Sequence, residues 1–139
     1  MRSAVRGLFW AGSVLVASES FAASAIEIPW IIDEPTAQRL AAESHYGADK
    51  YLDAFDYDSN LSPPFFVYYG VNKAPAAGGF GYFAVNPWTG DVWALWGCHK
   101  LSTPALRKSQ AEIRKRFTRE ELKQYARLRR LKPECVVER

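Results

Sequence analysis

Phe80-Gly81-Tyr82-Phe83-Ala84-Val85-Asn86-Pro87-Trp88-Thr89-Gly90-Asp91-Val92-Trp93-Ala94-Leu95-Trp96-Gly97-Cys98 has the pattern of two strands joined by a turn. Aromatic and β-branched residues fill both of its halves and favour extended backbone. Between them, Pro87-Trp88-Thr89-Gly90 reads as a tight turn, with proline fixing φ and glycine free to take a positive φ. The two halves are therefore strands, Phe80 to Asn86 and Asp91 to Cys98. They pair antiparallel, because the connection is too short for a crossover. Upstream, Phe65 to Val71 has the same strand composition. Asn72 to Gly79, with Pro75 and a run of small residues, reads as the loop between them. The three strands form an antiparallel meander.

Helices flank this meander on both sides. Asp33 caps Glu34-Pro35, and Ala37, Leu40 and Ala41 then share one helical face, with Gly47 as the stop. Ala48 to Tyr57, carrying Tyr51, Leu52 and Phe55, reads as a second short helical piece. Ser59-Asn60-Leu61-Ser62-Pro63-Pro64 breaks the pattern. In the tail Thr103 caps Pro104, and Leu106, Ile113 and Phe117 line one face. Thr118 and Glu121 form a capping box for a further helix that Pro133 ends. The predicted fold is α+β: an N-terminal helix, a three-stranded antiparallel meander and a C-terminal helical hairpin.

The first residues carry an export address. Arg2 and Arg6 precede an apolar run from Leu8 to Ala17, and Ala23-Ser24-Ala25 offers a small-residue exit. That order is the pattern of a cleavable secretory signal. The run is far shorter than the roughly 20 residues a spanning helix needs. Residues 1–25 are thus expected to be removed, with cleavage before Ile26, leaving a single domain over residues 26–139. The expected location is the periplasm, with no membrane span.

Of 139 residues only two are cysteines, Cys98 and Cys135. Outside the cytoplasm disulfides persist. A Cys98–Cys135 bridge would stabilise the fold by roughly 4 kcal/mol on the loop-entropy account; two free thiols are the alternative. Charge is divided along the chain. From Ile26 to Cys98 there are three basic residues against nine acidic, and from His99 to Arg139 thirteen basic against five acidic. The basic tail alone would suit nucleic acid, but export argues against that partner.

Both faces of the sheet are apolar. Phe65, Val67 and Tyr69 oppose Phe66 and Tyr68; Phe83 and Val85 oppose Tyr82 and Ala84; Trp93 and Leu95 oppose Val92, Ala94 and Trp96. A sheet exposed on one side alternates with polar residues, and this one does not. Either helices cover both faces or part of one face docks on another macromolecule. Tyrosine and tryptophan are favoured anchors in such contacts. The partner-binding candidates are Asn72, Lys73, Gly78 and Gly79 of the loop, Tyr82 of the second strand and Trp88 of the turn.

No catalytic set is legible. Cys98 and His99 diverge in an extended chain, and a bridge would consume the thiol. Taking Asp56 as the first ligand of a calcium loop puts Leu61 at the glycine position and Val67 at the closing glutamate, so the pattern fails. Two cysteines and two histidines do not space as a zinc site. No catalytic residue, metal ligand or cofactor is expected, and a homo-oligomer is left open.

Val85-Asn86-Pro87-Trp88-Thr89-Gly90-Asp91-Val92-Trp93 resembles the strand-turn-strand ending of PepSY-type exported modules, with Asn86 where aspartate is usual. The wider layout is similar to that of immunity proteins for type VI secretion amidase toxins. The likeness rests on the Gly90-Asp91-Val92-Trp93 strand, the following Cys98 and the Thr103-Pro104-capped basic helix, and it spans Phe80 to Cys135. It implies a protein partner, a peptidoglycan amidase toxin, whose active-site cleft this chain would plug. The rival expectations are a PepSY-like envelope module regulating a protease and a small envelope enzyme.

Overall fold

A computed structural model describes residues 26–44, 52–58, 61–72 and 81–135, with the side chains of 52–56 and 72 excepted. The expectations for the leader (1–25), for the helix stop at Gly47 and for the loop residues Lys73, Gly78 and Gly79 lie outside the described residues.

The chain is α+β. Helix α1 (Glu34–Glu43) is followed by a sheet of five antiparallel strands in sequence order: β1 (Leu52–Tyr57), β2 (Phe66–Asn72), β3 (Gly81–Val85), β4 (Val92–Ala94) and β5 (His99–Lys100). Helix α2 (Pro104–Arg114), a 3-10 turn (Glu121–Gln124) and one turn of helix, α3 (Tyr125–Leu128), complete it.

The caps form as their sequences require. Thr36 donates its backbone N–H to the Asp33 carboxylate at 3.0 Å, and proline occupies the first turn of α1. Thr103 accepts from the Leu106 N–H at 3.1 Å. Thr118 and Glu121 cap each other reciprocally, at 2.7 and 3.3 Å.

Three expectations are corrected. The stretch read as helical between Ala48 and Tyr57 contains a strand, β1, which zips onto β2 from Leu52↔Asn72 to Tyr57↔Tyr68. The register shifts between Leu52 and Ala54. That irregularity breaks the alternation of apolar residues, so Leu52 and Phe55 look helical in sequence. The strand read as Asp91 to Cys98 stops at Ala94. Gly97 (φ 80°) and Cys98 (φ 50°) then reverse the chain in the left-handed region, and His99–Lys100 return as β5 beside β4. The meander therefore has five strands, not three. The last predicted helix is shorter than expected, because beyond Leu128 the chain leaves helical conformation to lie across the sheet.

That tail explains the two apolar faces. On one face Phe66, Tyr68, Phe83, Val85 and Val92 pack with α1, Leu106, Ile113 and Trp88. On the other, Phe65, Val67, Ala84, Trp93 and Leu95 form a second cluster. No helix covers this second cluster among the described residues. Leu61 and Leu131 pack on it, and the Glu134 backbone N–H donates to Ser62 Oγ at 2.8 Å. The Cys98–Cys135 disulfide, with its Cα atoms 5.5 Å apart, fastens the tail to the turn after β4.

Gly90 (φ 70°) marks where the layers meet. A Cβ placed there would lie 2.8 Å from Ile113 Cδ1 of α2 and 3.1 Å from Leu40 Cδ1 of α1. Only glycine combines that backbone with that proximity. Tyr68 crosses beneath α1 and donates its hydroxyl to the Glu34 carbonyl at 3.0 Å. Burial, reinforced by the charge of Glu34, pushes that phenol well above its ordinary range, so it remains a donor in moderately alkaline solution.

Replacing both cysteines by serine is expected to cost up to about 4 kcal/mol and to lower the melting temperature by more than about 10 °C. A thermal melt of oxidised, reduced and doubly substituted protein checks this; three coincident curves would mean that the bridge does not hold the tail down.

Candidate functional site

The β3–β4 turn is built around Asn86. Its side-chain oxygen accepts from the Trp88 and Thr89 N–H groups at 2.9 and 3.1 Å, closing an Asx turn. Its amide donates to the Leu128 carbonyl at 2.9 Å, tying the turn to α3. The Trp88 side chain folds inward and is only 4% exposed. Its indole N–H donates to the Ile28 carbonyl at 2.7 Å, and the Pro87 carbonyl accepts from Ile31 and Ile32. Trp88 is thus a core residue that anchors the N-terminal segment. Its expected place on a contact surface is corrected: the Asx turn aims the ring at the core, leaving no indole face for a partner.

Next to it lies Asp91, 2% exposed. Its carboxylate accepts from Thr89 Oγ1 at 3.0 Å, from Lys100 Nζ at 3.1 Å, and from Arg129 through two bonds of 3.2 Å. Gln110 bonds the neighbouring Gly90 carbonyl at 3.1 Å. These bonds and the Asp91 charge hold the Arg129 guanidinium even further above its ordinary range. A carboxylate wrapped in this way presents no free oxygen to a substrate. Its chemistry is structural.

The loop candidates fare differently. Asn72 closes β2, and Gly81 opens β3 paired with Gly70, so the 73–80 connection leaves from this end of the sheet. Two ring systems stand at this end of the sheet. Tyr82 is half-buried and packs on its cross-strand partner Tyr69, with ring centroids 5.0 Å apart. On the opposite face Trp96 lies flat over Gly81, 3.0 Å from where a Cβ would stand, and is 43% exposed. Gly81 (φ 93°) is required twice there, by its backbone and by the indole above it.

Sequence reasoning missed Trp96 as an exposed ring. Its sequence context is that of a strand, whereas Ala94 is the last residue of β4. The signal was the following glycine, which allows the chain to turn away and leave the indole outside. It also missed Trp30 (55% exposed) and Tyr57 (42% exposed), which pack on Phe66 and Tyr68 at the other end of the sheet.

Among the described residues no group of three or more His, Cys, Asp or Glu stands together, and no helix is long and apolar enough to cross a membrane. Cys98 is disulfide-bonded beside the exposed His99. What the described surface offers is shape, aromatic rings and charge.

Comparison with known proteins gives one structural likeness of note. The fold matches a chain in the structure of a type VI secretion system effector-immunity complex from Pseudomonas protegens, with a TM-score of 0.51 and 20% identity, over 70% of this chain and 88% of that one. No family model matches the chain. No curated protein matches it either.

The Asp91 geometry generates a prediction. With Lys100 and Arg129 both changed to methionine, a buried carboxylate is left without a cation, which is expected to cost about 3–5 kcal/mol. Either single change leaves one cation in place and costs much less. Urea denaturation of the two single variants and the double variant measures the non-additivity; simple additivity would mean that the two cations do not share Asp91.

Proposed function

We propose that this chain is a non-enzymatic binding protein that works outside the cytoplasm as the immunity partner of a cell-wall-degrading type VI secretion toxin, and that it acts by occluding the toxin's active site. The observation that carries the reading is the indole of Trp96, 43% exposed and laid over Gly81 at the end of the sheet where β3 opens. A large ring with few rotors, already packed on Gly81, costs little conformational entropy to bury, and such rings dominate binding energy. The small-residue segment between β2 and β3, with Lys73, Gly78 and Gly79 following Asn72, is the proposed element to enter a cleft.

The fold likeness to a chain of an effector-immunity complex supports the same reading. The finer elements of the proposal are a peptidoglycan amidase as the target, a cleavable leader over 1–25 and a periplasmic location. Occlusion requires shape complementarity and no chemistry, which suits a chain whose Asp91 carboxylate is buried in ion pairs and whose Cys98 is disulfide-bonded.

The test is binding and inhibition. Mature protein is titrated against purified type VI amidase toxins by calorimetry, and peptidoglycan release is followed in parallel. A nanomolar complex that abolishes release is expected. Trp96→Ala is expected to weaken binding by about 30-fold or more, equivalent to at least 2 kcal/mol at a central ring. Lys73→Ala is expected to weaken it further. The Trp96 ring is 43% exposed and its inner side packs on Gly81, so melting curves verify that Trp96→Ala is folded before affinities are compared. A tight complex with a wall hydrolase that cleaves a different bond would keep the inhibitor and remove the amidase. Parent-like affinity of both variants would remove this contact surface.

A further inference from the structure

A second surface lies away from the Gly81 end of the sheet. Helix α2 and the stretch from the 3-10 turn through Arg129 line an open groove of about 610 Å³. Arg107, Arg114, Lys115 and Arg129 line it, with Leu122 and Tyr125 on the facing wall and no carboxylate among its lining residues.

Several acidic groups nearby are already engaged. Glu112 pairs with Lys115 at 2.7 Å, Glu120 with Lys123 at 2.6 Å, and Glu121 with the Thr118 backbone. At the inner end the single carboxylate of Asp91 serves both Arg129 and Lys100, so a positive charge is left over. Arg107 bonds only a hydroxyl, that of Ser102, at 2.9 Å. The Arg114 guanidinium sits 5.2 Å from the centre of the Tyr125 ring, a cation–π contact that leaves its N–H edges free to fork a carboxylate. Leu122 is 39% exposed in the middle of this charge.

We propose that this recess binds an acidic segment of a partner protein. Its carboxylates are taken by Arg107 and Arg114, and an aliphatic or aromatic residue of the segment seats on Leu122 and Tyr125. Charge complementarity selects an anion. The concave groove favours a chain segment over a flat anionic sheet. The exposed leucine selects a protein over a polyphosphate, which has nothing apolar to offer it. The inference is independent of the toxin reading, which uses the opposite end of the sheet.

The experiment uses a labelled 12-residue peptide of alternating glutamate and leucine and its glutamine counterpart, followed by fluorescence anisotropy with the whole mature protein. The glutamate peptide is expected to bind saturably at 50 mM NaCl and at least about tenfold more weakly at 300 mM, as screened charges require. Arg107→Glu with Arg114→Glu is expected to reduce affinity at least about tenfold, and Leu122→Ser several-fold.

The control is Lys108→Glu with Arg116→Glu. It changes net charge equally but lies in the separate recess facing α1, and it is expected to leave affinity within about twofold. Melting curves verify folding; should the reversal pair melt early, Arg107→Gln with Leu122→Ser carries the same test. Equal binding of the glutamine peptide would overturn the proposal. So would equal losses in both charge-reversed pairs, which would show bulk attraction only. Stronger, groove-dependent binding to phosphatidylglycerol vesicles than to the peptide would overturn it in favour of a lipid surface.

Discussion

Asp91 carries a charge in a place from which water is excluded, and the surrounding architecture follows from neutralising it. A lone buried carboxylate is strongly unfavourable, so partners must be brought to it. Thr89 comes from the same turn, Lys100 from β5 and Arg129 from the end of α3. Three parts of the chain separated by up to 38 residues therefore have one mutual arrangement. Lys100 also donates to the Arg129 carbonyl, and its ammonium lies 5.3 Å from the centre of the Trp93 ring. The cation thus touches the turn, the C-terminal stretch and the second apolar face at once. Hydrophobic burial supplies the driving force for this domain, and the carboxylate specifies which of several greasy packings is adopted.

Much of this was visible in the linear chain where the signal is local. Asp33-Glu34-Pro35 and Thr103-Pro104 are helix starts because a short polar side chain and a ring-locked φ act over three or four residues, and both caps form. The Pro87-to-Gly90 turn and the faces of β2, β3 and β4 were legible for the same reason, since alternation needs only neighbours. What failed was decided at a distance. β1 is a strand because β2 offers it a ladder, and its register shift hides the alternation. The length of β4 is set by the reversal at Gly97 and Cys98, and β5 by the return that follows.

The candidate site divides along the same line. Nothing local says that the Asn86 side chain turns the Trp88 ring inward, so an aromatic residue in a turn looked like a contact residue and is a core residue. Trp96 looked like a strand residue and is the exposed one. The basic composition of the tail was plain, yet its concentration into one recess depends on how α2 and the 121–129 stretch face each other. Only the cysteine pair was read correctly over a long separation, because a chain with two cysteines has a single intramolecular pairing to offer.

The covering of the second apolar face has a consequence for biogenesis. Val67, Ala84, Trp93 and Leu95 are all in place once β4 is made, but Leu131 and Cys135 come some forty residues after Trp93 and Leu95. A polypeptide delivered amino end first therefore assembles a meander whose back is bare until the lid arrives. During that interval Trp93 and its neighbours stay open to non-native contacts that a holdase would shield.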